Sequence, residues 1–323
     1  RQGRMSRRLL PLPRSRKELM ATCSRLRLPC VVAATCVALA AAAAVTARQP
    51  SGRAELPQEH RQVEAYVVAS PGAAAFAELV PGRLWKRELV AGGRVPHLSE
   101  LSEYRLASAA GSGMPPQVHD ADTAVYFGLE GRCTLSVWGG AASSAAGEHA
   151  LLLGRGAAAI VYPGAQHQLS HPDEAAGSCL VLKVLQASQN FSARSAGSGT
   201  ETYSFGDAAT LPSVKTAHIS DLLSKKVYLA HGIVPGLFQV SLARFAPGAE
   251  CEEHAHRSAA EVYVNYDGHG CHLKVHDRGG QSHIYDLTGG QVAIINPGTV
   301  HTAWNDASEA CQNINIMIGP PNE

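Results

Sequence analysis

The second half of this chain repeats the first, and no other feature limits its fold as much. Gly113 and His119 find counterparts 135 residues later in Gly248 and His254. Gly156, Pro163-Gly164 and His167 find theirs 134 residues later in Gly290, Pro297-Gly298 and His301. Chance could supply one Pro-Gly pair, but an ordered set of landmarks in near-constant register marks a duplicated structural unit. The length of 323 residues accommodates two domains of ordinary size, and 45% hydrophobic residues can fill their cores.

From Ala65 onward the chain consists of short β-type runs separated by Gly, Pro, Asp and Asn. The clearest are Thr123–Gly128, Thr134–Trp138, Ala159–Tyr162, Cys179–Leu185, Glu261–Tyr266, His272–His276, Gln291–Ile295 and Asn313–Ile318. Many short strands with regular turn signals predict an all-β sandwich or barrel. Only Ala73–Leu79 and Ser220–Ser224 read as short helical pieces. A Ser-, Gly- and Thr-rich stretch between Gln186 and Ala209 separates the halves as a linker.

The N-terminus reads as a targeting segment. Arginines crowd Arg1–Arg27 against a single acid, Glu18, and an uncharged Ala- and Val-rich run follows from Cys30 to Ala47. This is the order of a basic region, an apolar region and a cleavage site. The mature chain is therefore expected in the secretory pathway, outside the cell or in a plastid, with a retained membrane anchor the lesser reading. Beyond residue 60 no basic stripe with interleaved aromatics occurs, which argues against nucleic-acid binding. Of eight cysteines, five (Cys133, Cys179, Cys251, Cys271 and Cys311) lie beyond this segment. None has Cys-x-x-Cys spacing, so a zinc knuckle is not supported. An odd number leaves at least one without a partner in the chain, and buried thiols are the default reading. Asn190-Phe191-Ser192 is a glycosylation sequon for a luminal protein.

The chemistry lies in the second half. His254 and His256 alternate, as residues on one face of a strand do, and Glu261 follows after four more residues. His301 comes just after Pro297-Gly298, a turn that can deliver it to the same spot from another strand. Three imidazoles and one carboxylate leave up to two positions of an octahedron open for substrate or dioxygen. Such a set suits Fe, Mn, Co, Ni or Zn without choosing among them. His272, His276 and His283 read as solvated or structural. In the first half His119 and His167 persist, but Ala121 stands opposite His256 and Ala124 where the glutamate belongs. Only eleven residues separate His119 from Gly131, against thirteen between His254 and Gly268. Two imidazoles without a carboxylate make a poor site.

This spacing resembles the two motifs of the cupin superfamily, Gly-x5-His-x-His-x4-Glu-x6-Gly and Gly-x5-Pro-x-Gly-x2-His-x3-Asn. The first matches throughout from Gly248 to Gly268. In the second, Asn296 stands in place of the first Pro, while Gly290, Gly298, His301 and Asn305 keep their places. The resemblance implies two tandem double-stranded β-helix (jelly-roll) barrels after a targeting segment and spacer over 1–60. The first, over 61–185, has a degenerate site; a linker covers 186–210; the second, over 211–323, holds one divalent transition metal through His254, His256, Glu261 and His301. It further implies an enzyme acting on a small-molecule substrate, and a homodimer, since cupins often pair through outer strands.

Bicupins with one competent barrel resemble oxygen-using enzymes such as quercetinases. That gives a dioxygenase acting on an enol or carboxylate, with Glu261 as both ligand and proton acceptor. One alternative is a lyase or decarboxylase. Dimethylsulfoniopropionate lyases carry a similar His-x-His-x4-Glu-x-Tyr run, in which Tyr263 would take an α-proton; oxalate decarboxylases are bicupins with two complete sites. The other is a non-catalytic binding or storage protein like the seed globulins. Arg257 and Trp304 are candidates for the pocket mouth, Arg257 toward an anionic substrate, and Asn305 is candidate support for the turn.

Overall fold

In the computed structural model the described residues are 66–69, 75–90, 95, 97–109, 111–138, 147–172, 177–187, 202–216, 218, 220–229, 236–267 and 269–319. The targeting segment with its cysteines, the sequon at Asn190 and Gly268 lie outside them. Among the described residues there is no helix.

The first repeat builds a seven-stranded antiparallel sheet. Its order is β12 (Tyr203–Asp207), β9 (Ala157–Val161), β6 (Thr123–Glu130), β11 (Cys179–Gln186), β4 (Leu98–Leu106), β3 (Leu84–Val90) and β2 (Ala77–Val80). A four-stranded sheet faces it, ordered β5 (Gln117–Val118), β10 (Gln166–Ser170), β7 (Arg132–Trp138) and β8 (His149–Gly154). The second repeat has the same plan. Its seven-stranded sheet runs β1 (Tyr66–Ala69), β19 (Val292–Ile295), β16 (Ala260–Asn265), β21 (Cys311–Ile318), β15 (Leu237–Phe245), β14 (Leu223–Leu229) and β13 (Val214–Lys215). Opposite lie β18 (Ser282–Leu287), β17 (Cys271–His276) and β20 (His301–Trp304).

Alternation along the strands explains the apolar runs. On β16, Ala260, Val262 and Val264 enter a core shared with Val125, Phe127, Ile160, Leu182 and Val184 of the first repeat. The other face of the same strand puts Tyr263 among Leu273, Val275, Ala293 and Ala303 inside the second barrel. Strands buried on both faces read as continuous hydrophobic sequence. Glu261 shares the inward face with Tyr263, two residues on, and is buried.

Four expectations change here. β12 falls within the stretch read as linker and pairs with β9 of the first barrel, from Tyr203↔Val161 to Asp207↔Ala157. β1, read as part of the first barrel, pairs instead with β19 of the second, from Tyr66↔Ile295 to Ala69↔Val292. Each outer strand covers an edge that would otherwise expose unpaired backbone groups. The two short helical readings fall on β2 and β14, where cross-strand pairing overrides local preference. Four of the cysteines are disulfide-bonded rather than thiols: Cys133–Cys179 and Cys271–Cys311, with Cα–Cα separations of 5.6 and 5.7 Å. Each bridge ties the small sheet of its barrel to the large one, and Cys251 is a buried thiol.

Candidate metal centre

The strip from Gly248 to His254 runs beside β20, pairing only at Glu250↔Trp304 and His254↔His301. His254 therefore sits in an isolated bridge and not in the strand its alternation predicts. Two backbone bonds, His254 N to His301 O (3.0 Å) and His301 N to His254 O (2.9 Å), place these ligands side by side. The Gly298 amide donates to the His256 carbonyl (2.7 Å), tying the Pro297-Gly298 turn to the His pair. Gly298 holds φ near 80°, a conformation glycine adopts without strain, so Asn296 in place of proline leaves the turn intact. Ring centroids of His254 lie 4.4 Å from His301 and 5.0 Å from His256. The ligand atoms of His254, His256, Glu261 and His301 all fall within 4.8 Å of one another.

This donor set fits a divalent transition metal. Nδ1 of His254 donates to the Glu252 carbonyl (2.9 Å) and Nδ1 of His301 to the Thr299 carbonyl (3.0 Å). Both rings are thereby fixed in the tautomer whose Nε2 is a lone-pair donor. Burial first, then the neighbouring His301, hold His254 down to about 4, so it is neutral at neutral pH. Burial works to raise the Glu261 carboxyl, but the adjoining His256 and His301 hold it well below the usual carboxylate range. Glu261 Oε2 lies 2.8 Å from His301 Nε2 and 3.1 Å from His256 Nε2. A carboxylate oxygen this close to an imidazole lone pair is a pair of acceptors, which a shared cation relieves. Asn315 Nδ2 donates to Glu261 Oε1 (2.5 Å) and leaves Oε2 facing the imidazoles.

Tyr263 is buried beside the quartet, its ring centroid 6.3 Å from that of His301. Burial and the Glu261 carboxylate push its phenol well above 10, so it is a proton donor at neutral pH. Arg257 is exposed on the bend after His256, whose side chain is itself 23% exposed, so the open side of the site lies there. Trp304 points the other way, stacked on His272 with centroids 5.1 Å apart on the outer face of the small sheet. His276 and His283 bond to Glu253 and Asp277, outside the quartet. Asn305 donates to the Phe245 and Glu309 carbonyls (3.0 and 2.8 Å) and locks the connection after β20 without touching a ligand.

The first barrel shows what the repeat alignment missed. His167↔Gln117 is the counterpart of His301↔His254. The Gly164 amide donates to the His119 carbonyl (2.8 Å) as Gly298 does to His256. His119 therefore stands at the position of His256, two residues from the register read in the sequence, and nothing is shortened. The left-handed glycines agree, Gly111 with Gly248, both at φ 75°. Gln117, His119, Ala124 and His167 occupy the four ligand positions. Into their midst comes Lys183, buried on β11 where β21 carries Asn315. Its Nζ donates to Gln117 Oε1 (3.1 Å) and pairs with Glu100 (3.2 Å). An ammonium thus lies beside these positions, and burial with the Lys183 charge lowers the pKa of His119.

Sequence reasoning passed over Asn315, Lys225 and Gln239 in the second barrel. A signal was present in the repeat. Leu84-x-Lys86 recurs as Leu223-x-Lys225, and Leu98-x-Glu100-x-Ser102-x-x-Arg105 as Leu237-x-Gln239-x-Ser241-x-x-Arg244, all 139 residues on.

No protein-family model matches the chain, and no curated protein matches it. Solved structures do. An oxalate decarboxylase of Lactobacillus farciminis in a formate complex aligns at TM-score 0.57 and 11% identity, over 85% of this chain and 89% of that one. Streptomyces albus HEPD with 2-hydroxyethylphosphonate and Fe(II) bound aligns at 0.62 and 8%, over 83% and 79%. A 7S globulin of Momordica charantia aligns at 0.56 and 11%, over 79% and 84%. Likeness at this identity is likeness of fold, and the fold of this chain is the two-barrel cupin, or bicupin, fold.

Proposed function

We propose that this chain is a metal-dependent bicupin enzyme of dioxygenase type, acting on a small enol or carboxylate in the second barrel. The observation that carries the reading is the complete quartet, with Nε2 of His254 and His301 freed as donors and the Glu261 carboxylate among them. A divalent ion bound there supplies a Lewis-acidic centre with open positions for substrate and dioxygen. The chain's own residues do the rest. Glu261, oriented by Asn315, is ligand and proton acceptor. Tyr263 stands beside it as a protonated phenol. Arg257 draws anions to the open side. HEPD, which shares the fold, holds Fe(II) together with its substrate, and this supports a redox-active metal in the quartet. The lyase alternative needs Tyr263 as a base. The two disulfides favour the oxidising secretory route over the plastid.

The test is dioxygen uptake by Fe-, Mn-, Co- or Ni-loaded protein with a panel of enols and carboxylates. Uptake that vanishes in the His254→Ala/His256→Ala variant supports the proposal. Anaerobic turnover without uptake would move the reading to a lyase or decarboxylase. Tight metal without turnover would move it to a binding protein.

A further inference from the structure

Inside the second barrel a cation faces the quartet without a carboxylate of its own. Leu223 belongs to the barrel interior, and Lys225, two residues on along β14, shares its face. Lys225 stands opposite Ala243, another interior residue. Its Nζ donates to Gln239 Oε1 at 3.0 Å, and no salt bridge to it is found among the described residues. Gln239 is paired with Met317, and Met317 with Glu261. At the usual strand spacing of about 4.8 Å, Gln239 and Glu261 are then about 10 Å apart across the sheet. Burial lowers the pKa of Lys225, and the Glu261 charge acts against that shift.

The first barrel supplies the comparison. Lys86 is the counterpart of Lys225, and it meets Glu100 at 2.9 Å where Lys225 meets the neutral Gln239. The counterpart of Asn313 is Val181, an apolar core residue. Asn313 itself is fully buried on the inward face of β21, in the row of Lys225 (Lys225↔Ala243↔Asn313), and neither its amide nitrogen nor its oxygen has a partner among the described residues. A buried amide left open on both atoms is rare, and a bound water is its ordinary partner. Duplication has thus kept the lysine in both barrels, and only the barrel with the quartet lacks the acid that would neutralise it.

We propose that Lys225, with Gln239, forms an anion subsite that selects a substrate carrying a carboxylate beyond its metal-facing end. The assignment rests on the second barrel being the substrate site; it narrows the class to small dicarboxylates and related dianions. An ammonium held by a neutral amide, with no carboxylate of its own, suits an anion and rejects an apolar terminus.

The experiment is calorimetric titration of oxalate, malonate and succinate into the full chain, Co(II)-loaded and metal-free, with malonamide as the neutral control. Wild type is expected to bind at least one dianion and not malonamide. Lys225→Met should weaken that dianion tenfold or more, and Lys225→Arg should recover part of the loss. Gln239→Glu, which rebuilds the acid–lysine pair that folds in the first barrel, should quench binding as strongly. Co(II) stoichiometry should stay unchanged in all three, whereas a failure of the metal-site reading would appear as wild type that takes up no Co(II). Dianion affinity within twofold of wild type in Lys225→Met and Gln239→Glu, or no dianion binding by wild type in either form, overturns the subsite.

Discussion

Replacing Glu100 by glutamine tests whether the buried ammonium of Lys183 in the first barrel depends on this carboxylate. Lys183 is 2% exposed and Glu100 13% exposed, so the pair is largely out of water. Burial alone would raise the Glu100 carboxyl, but the Lys183 charge and bonds from Tyr104 and Lys86 bring it down from 4.5 to about 2. At ~1.4 kcal/mol per pKa unit, this carboxylate contributes at most about 3 kcal/mol at neutral pH, because burial lowers the pKa of Lys183 and so offsets part of it. Leaving one buried charge unpaired costs a similar ~3–5 kcal/mol. Glu100→Gln should therefore lower the unfolding free energy by up to about 3 kcal/mol at pH 7, read by urea denaturation. A depressed carboxyl stabilises the fold above its unfolded value and loses that effect as pH falls through its folded value. The gap between wild type and variant should then narrow below pH 4.5 and close near pH 2. Adding Lys183→Met to Glu100→Gln should recover most of the loss, because the orphaned charge is gone. A gap under about 1 kcal/mol at pH 7, or one unchanged between pH 7 and pH 3, would refute the reasoning.

Metal content should be one ion per chain by mass spectrometry and none in His254→Ala/His256→Ala; two per chain would mean that the first barrel binds as well. Gln117→His/Ala124→Glu/Lys183→Asn restores the missing donors around His119 and His167, and Co(II) stoichiometry should rise from one to two. Tyr263→Phe should leave metal content unchanged and cost less than about tenfold in turnover, below the ~10²–10⁴-fold that a positioned general acid or base supplies; a loss of that larger size would favour the lyase route. Cys271→Ala/Cys311→Ala should lower stability by about 2–4 kcal/mol, measured by chemical denaturation.

The site was legible in the sequence because its ligands are local on either side of two turns. His254, His256 and Glu261 lie within eight residues, and His301 is fixed by the Pro297-Gly298 turn before it. The eight strongest runs all fall on strands: those of the large sheets are buried on two faces and carry apolar stretches, and β17 alternates apolar and polar residues. What failed depended on partners distant in the chain. Gly113 was equated with Gly248, when the left-handed residue in the first barrel is Gly111. One glycine looks like another until backbone dihedrals are known. The strand for His254 was inferred from alternation, yet its neighbours pair only at intervals with β20. Cys133 and Cys179 lie 46 residues apart, and only closure of the barrel brings them together. Lys225 carries no motif; its meaning comes from Gln239 across the sheet and from Lys86 in the other copy.

The first barrel is held in the molecule by packing. The outer faces of the two seven-stranded sheets form one core, in which Val125, Phe127 and Ile160 of the first meet Val262, Val264 and Ile294 of the second. Removing the first barrel would expose the back of β16, the strand that carries Glu261. Each buried aliphatic or aromatic side chain so exposed costs about 1.5–3 kcal/mol. The exchanged strands bind the halves further, since β1 borders β19, and β19 borders β16 on the side away from β21. Whatever its own interior binds, the first barrel is tied in by this shared face. Gln117 and Ala124 occupy ligand positions there, while Val125 and Phe127 beside Ala124 are apolar and fully buried. The second barrel differs at two positions: its shared face is as apolar, but its interior keeps Glu261 and Asn313 at a desolvation cost that the Ala124 and Val181 of the first barrel avoid. Polar groups held at that cost in one copy of a duplicated fold, and apolar in the other, are where the chemistry of this chain must be sought.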